Sequence, residues 1–129
     1  MSWDIVIFNS KQKITSIEEM DEELLVAIDF DKILQDFFLN IEVNGEHRSI
    51  KGADFSVEYF INNEPVSNKL FNLYGEHALF ELIRISKTYN WQIFDMGMGE
   101  MINIDDPAKN GFHNFQNYLN QLLNKREEQ

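Results

Sequence analysis

Apolar and polar positions along this chain fall in short blocks whose period changes several times. Trp3 to Phe8 (WDIVIF) is nearly all apolar and rich in β-branched residues, which predicts a buried, central strand. Asp4, its one charge, is expected at the strand end in solvent. After a polar loop over 9–13, Ser16-Ile17-Glu18-Glu19 has the form of a capping box, so a short helical turn is predicted near 17–23. A link through Leu24–Ile28 follows. Asp29 offers a second N-cap, and Phe30, Ile33, Leu34, Phe37 and Phe38 recur at helical spacing, predicting a helix from about Phe30 to Leu39.

The period then switches to two. Ile41 to Glu46 contains Asn44-Gly45, a favoured hairpin turn, with a returning strand expected at 47–50. In Phe55 to Ile61 (FSVEYFI), Phe55, Val57, Tyr59 and Ile61 share one face and Ser56, Glu58 and Phe60 the other. Asn62 to Pro65 reads as a turn, and Val66 to Leu73 runs back with Ser67, Lys69, Phe71 and Leu73 on one face. A second helix is predicted from about Ala78 to Tyr89, carried by Leu79, Leu82, Ile83 and Ser86 and stopped at Asn90. Trp91 to Asp95 is a strand, Met96 to Gly99 a turn, and Glu100 to Ile104 the returning strand. Phe112, Phe115, Tyr118, Leu119 and Leu122 define a last amphipathic helix. Together these elements predict one α+β domain over 1–129: a mixed, mainly antiparallel sheet with about three helices packed on it.

Composition narrows the function classes. The chain has no Cys, which excludes disulfide frameworks, thiolate nucleophiles, Cys-type zinc sites and iron–sulfur ligation. No signal-peptide pattern opens it, and no apolar run approaches the ~18 residues of a membrane span. A soluble cytoplasmic protein is the resulting expectation. Charge changes the picture more. There are 22 Asp and Glu against 11 Lys and Arg, a net charge of −11. Residues 1–64 hold 14 acids and 5 bases; residues 65–129 hold 8 and 6. Between Glu18 and Asp36 stand Glu18, Glu19, Asp21, Glu22, Glu23, Asp29, Asp31 and Asp36, with Lys32 the one base. Such a segment repels nucleic acid and anionic membranes and attracts basic surfaces.

Candidate chemistry is sparse. Gly97-Met98-Gly99 lacks the third glycine and the following helix of a dinucleotide fingerprint, so it reads as a hairpin turn. Asp95, Glu100 and Asp105, with Asp106 beside them, form the best carboxylate group; Asp95 and Glu100 would flank one turn, where a hard cation such as Mg²⁺ accepts oxygen ligands. His47, His77 and His113 are dispersed, and the serines lie in no nucleophile elbow. Phe55, Tyr59, Phe71 and Trp91 could stack bases, but Lys51, Lys69, Arg84 and Lys87 are too few to form a basic groove. Core packing accounts for these aromatics.

Residues 52–105 also carry a resemblance. Gly52-Ala53-Asp54-Phe55-Ser56-Val57-Glu58-Tyr59, then Glu64-Pro65-Val66-Ser67, Tyr74-Gly75, a helix, Trp91-Gln92-Ile93-Phe94-Asp95 and Gly99-Glu100-Met101-Ile102 follow in order. This is similar to a broad group of small uncharacterised bacterial proteins with a G-x-x-FS-[IV]-E strand, an E-P-V strand and a W/R-x-[ILF]-x-D strand. The resemblance implies a fold and no activity, although some such acidic proteins look like immunity factors encoded beside secreted toxins. The group often shows a basic residue late in its second long strand; here that stretch is Phe71-Asn72-Leu73-Tyr74.

Three readings follow. The first is a non-catalytic acidic protein-binding module, such as an immunity-type inhibitor of a basic toxin. It needs no cofactor, would present Glu18, Glu19, Glu22, Glu23, Asp29, Asp31 and Asp36 to a basic partner, and would use Phe30 or Trp3 as aromatic anchors. The second is an adaptor or structural subunit that forms a homodimer through a sheet edge or the 112–124 helix. The third is a small metal-dependent enzyme using Asp95, Glu100 and Asp105.

Overall fold

A computed structural model describes residues 2–61, 63–75 and 77–105. These form a seven-stranded sheet in the order β2-β3-β4-β5-β1-β6-β7. The strands are β1 (Trp3–Phe8), β2 (Ile41–Asn44), β3 (His47–Lys51), β4 (Ser56–Phe60), β5 (Asn68–Tyr74), β6 (Gln92–Asp95) and β7 (Glu100–Met101). Two α-helices, α1 (Phe30–Phe37) and α2 (His77–Tyr89), follow β1 and β5. The α+β expectation holds in this coarser form. The helix expected over 112–124 lies outside the described residues.

The sheet is not mixed: every neighbouring pair is antiparallel. The reason is topological. Hairpins join β2 to β3, β3 to β4 and β6 to β7, while the crossover through α2 carries β5 to β6 on either side of β1. β5 and β6 run parallel to each other, but β1 lies between them and opposes both. The apolar first strand is thus interior, as its composition predicts.

Register sorts the side chains onto two faces. Trp3, Ile5 and Ile7 of β1, Phe71 and Leu73 of β5, Val57 and Tyr59 of β4, Ile50 of β3 and Ile93 of β6 lie on one face and are buried with both helices. Phe30 packs on Trp91 with ring centroids 4.9 Å apart, and Tyr59 on Phe71 at 5.3 Å. Both are tilted contacts of the kind aromatic quadrupoles favour.

Local signals set most element ends. Asp29 caps α1 by accepting from the Lys32 amide at 3.0 Å. α2 ends at Asn90, at φ 59°, and the Trp91 amide donates to Ser86 O at 2.9 Å, closing a Schellman-type cap. The capping box expected at Ser16 does not form. Ser16 makes no side-chain cap, and Glu19 instead accepts from Thr15 Oγ1 at 3.0 Å. The segment winds into two 3₁₀ turns, Ile17–Glu19 and Glu22–Leu24, too short to need a capping box. The first hairpin also shifts by one residue: Asn44 pairs with His47, so Gly45, at φ 62°, and Glu46 make the turn. Asp4 does not simply face solvent, because its Oδ1 accepts from Ser2 Oγ at 2.8 Å and from Asn72 Nδ2 at 2.7 Å.

Gly52 and Gly75 have packing reasons. A Cβ on Gly52 would stand 2.1 Å from the Phe55 ring, and one on Gly75, at φ 89°, would stand 2.5 Å from Asp54 O. Gly75→Ala should therefore lower stability by more than about 2 kcal/mol, combining a left-handed backbone with a backbone clash. Gly45→Ala, with nothing within 4 Å of the new methyl, should cost only about 1–2 kcal/mol. Urea unfolding of the two variants checks the order.

Candidate interaction surface

Residues 9–28 form a strap across the end of the sheet, tied down by backbone and glutamine hydrogen bonds. Asn9 N donates to Ser67 O, Val26 N to Asn9 O and Lys11 N to Leu24 O, at 2.8–2.9 Å. Ile28 and Val66 exchange reciprocal bonds at 2.9 Å. Gln92 clamps the strap onto β6, accepting from Ile14 N and donating to Gln12 O, each at 2.6 Å. Gln12 in turn accepts from Asp21 N at 2.7 Å and donates to Glu19 O at 2.9 Å.

On this strap and on α1, Glu18, Glu19, Asp21, Glu22, Glu23, Asp29 and Asp36 are all exposed. Asp31 is the exception and corrects the expectation for that residue. It is 8% exposed, paired with Arg48 Nε at 3.3 Å, and accepts from Tyr59 OH at 2.9 Å and Gln35 Nε2 at 2.7 Å. A carboxylate saturated in this way cannot steer a partner. Phe30 and Trp3 are equally unavailable as anchors, at 0% and 4% exposure. Their apolar area is already spent on the core.

A second ion pair lies on the same core face. Lys69 and Glu64 side chains are 1% and 8% exposed and paired. β4 and β5 pair only over Ser56–Glu58 against Asn72–Tyr74, although each continues beside its other neighbour. In the gap, Lys69 Nζ donates to Phe60 O at 2.8 Å, and Glu64 Oε2 accepts from the Phe30 amide at 3.3 Å, capping α1 from outside. Lys69 is thus a core residue rather than part of any basic surface. Its place between Ile7 and Phe71 on the inward face was legible from the alternation, since Phe71 and Leu73 share its parity.

The carboxylates proposed for metal are not gathered. Asp95 is 1% exposed, and its Oδ1 accepts from Trp3 Nε1 and Gly97 N at 2.9 Å and from Met98 N at 3.2 Å. It organises the β6–β7 turn. Glu100 stands opposite it in the ladder and is exposed; Asp105 is exposed beyond β7. Among the described residues no group of three or more His, Asp or Glu side chains is placed to hold a metal ion. His47 lies 3.6 Å from Glu58, and His77 pairs with Asp54, both at the surface; His113 lies outside the described residues. A cavity of about 190 Å³ is lined by Ser2, Trp3, Asp4, Asp95, Met96, Gly97 and Met98. A wider groove of about 1000 Å³ runs between the strap, the end of α2 and residues 101–105, with Lys11, Lys13 and Lys87 on its walls.

Among the described residues no helix is long and apolar enough to cross a membrane. No protein-family model matches the chain, and no curated protein and no solved structure is significantly similar to it. What the fold and the surface define is an antiparallel α+β domain whose exposed acids, among the described residues, are densest on the tethered strap and on α1.

The buried groups give two tests. Lys69→Met strands a buried carboxylate and should cost about 3–5 kcal/mol, while Glu64→Gln with Lys69→Met should recover part of that loss in denaturant unfolding. Tyr59 holds its proton well above the ordinary tyrosine range, chiefly because burial disfavours the phenolate and then because Asp31 accepts its hydrogen bond. Above pH ~10 the unfolded chain loses this proton and the folded one keeps it, so stability should fall by about 1.4 kcal/mol per pH unit from this residue. Tyr59→Phe should lower stability at pH 7 yet show a shallower alkaline decline in thermal melts.

Proposed function

We propose that this chain is a non-catalytic acidic protein-binding module, of the kind that acts as an immunity-type inhibitor of a basic toxin. One observation carries the reading: seven exposed carboxylates cluster on α1 and on a strap that hydrogen bonds hold to the sheet, five of them on the strap. A tethered array of like charge creates a fixed local field, which speeds encounter with a basic surface and selects against acidic ones. Pre-ordering also lowers the conformational entropy lost when a partner docks. The sequence resemblance to small acidic bacterial proteins, some of them immunity-like, points the same way. Binding of this kind uses no cofactor.

The reading is tested by comparing the chain with Glu22→Lys/Glu23→Lys, which moves the formal net charge from −11 to −7. Both are immobilised and exposed to lysate of the source cells. The native chain should retain a dominant basic protein at low salt and release it at about 1 M salt, where the Debye length is about 3 Å. The reversed chain should bind that protein with an on-rate lower by about tenfold or more and a flatter salt dependence. Equal rates and equal salt slopes would reject the proposal.

A further inference from the structure

The second face of the sheet, opposite both helices, carries two parallel rows of distinct chemistry. The ladder places Leu70, Val6, Phe94 and Met101 side by side across β5, β1, β6 and β7. On the other side of the gap between β4 and β5, Phe60 and His47 are paired and stack at 5.0 Å. Phe60 is 54% and Leu70 48% exposed, high values for large apolar side chains inside a sheet, while Val6, Phe94, Met101 and His47 are half-buried. Two residues along each strand runs a polar row, Glu42, Ser49, Glu58, Asn72 and Asp4, again adjacent in register from β2 to β1, with Glu42 exposed, Ser49 buried and the other three half-buried. Three of its five members are carboxylates. The two rows lie about 7 Å apart, and the paired strands β5, β1, β6 and β7, at ~4.8 Å spacing, carry about 14 Å of the apolar row up to the gap. A partly exposed apolar strip rimmed by polar groups marks an interaction site.

We infer that this face, centred on exposed Phe60 and Leu70, is the docking surface for a protein partner presenting an apolar ridge flanked by Lys or Arg. The inference rests on the binding-module reading and adds the surface that supplies affinity. Charge selects the occupant: Glu42, Glu58 and Asp4 beside the apolar row complement a basic flank. A second copy of this chain would bring a net −11 against the same charge. The strap lies close by, since Val26 is bonded to Asn9, three residues beyond Val6, and a partner centred on the row would come within reach of its acids. Apolar contacts in the row then add short-range affinity, while the strap acids add long-range attraction that salt screens.

The full chain, Phe60→Ser/Leu70→Ser and Glu22→Lys/Glu23→Lys are immobilised in parallel and exposed to source-cell lysate, with melting and light scattering of each in solution. The expected result is a basic protein held by the native chain, retained at least tenfold less by Phe60→Ser/Leu70→Ser at the same salt, with that variant's melting temperature within about 2 °C of native. Undiminished retention by Phe60→Ser/Leu70→Ser, with loss by the strap variant, would overturn this surface and leave the binding-module reading intact. Retention of no basic protein by the native chain would overturn both. A fall in melting temperature of more than about 5 °C would assign the face to the chain's own residues 106–129 instead. A native dimer abolished by Phe60→Ser/Leu70→Ser would assign it to a second copy.

Discussion

Two ion pairs buried on the core face, Asp31 with Arg48 and Glu64 with Lys69, set the terms for the rest of this structure. Each joins a strand of the β3–β5 region to something that is not sheet: α1 in one case, the loop before β5 in the other. Both are finished by hydrogen bonds. Tyr59 and Gln35 complete Asp31, Gly45 O and His47 O accept from Arg48, and Phe60 O accepts from Lys69. A buried charge without its partner costs several kcal/mol, a large share of the roughly 5–15 kcal/mol that holds a domain together. The parting of β4 from β5 is tolerable because the lysine fills the gap and satisfies the Phe60 carbonyl. α1 stays seated because Glu64 receives its first amide and Asp31 is held beneath it.

With those acids committed inside, the remaining ones divide the surface. Exposed carboxylates concentrate on the 9–28 strap and the start and outer side of α1, where hydrogen bonds keep the chain close to the sheet end. The helices cover one sheet face with most of the large apolar side chains. The other face keeps an apolar row beside an acidic one. A binding protein needs long-range attraction and short-range adhesion, and here the two are supplied by neighbouring but separate elements. Asp95, which the sequence singles out as a candidate ligand, serves instead to bind the turn amides and the Trp3 indole.

Much of this architecture was legible in the chain. The near-continuous apolar run of β1, the alternation of β4 and β5, the Asp29 cap and the Asn90 stop all appear in the structure close to where period and capping chemistry place them. The misses have physical causes. Ser16 and Glu19 have the letters of a capping box, but the segment closes only 3₁₀ turns, and Gln12 takes the Glu19 carbonyl and the Asp21 amide. The Asn44-Gly45 signal points one residue early, because pairing of Asn44 with His47 moves the turn to Gly45-Glu46. Asp31 looks in the sequence like its acidic neighbours, yet it stands three residues before buried Leu34 on the inner side of α1.

The sequence by itself determined the local elements, the single acidic segment and the absence of thiol chemistry, because these depend on periodicity, capping and composition within a few residues. Only the tertiary structure decided which charges are surface and which are core, that β1 separates β5 from β6, and that Leu70, Val6, Phe94 and Met101 stand in one row. Those outcomes depend on strand order and register. These are set by the summed burial of distant residues, and no local window of the chain contains that sum.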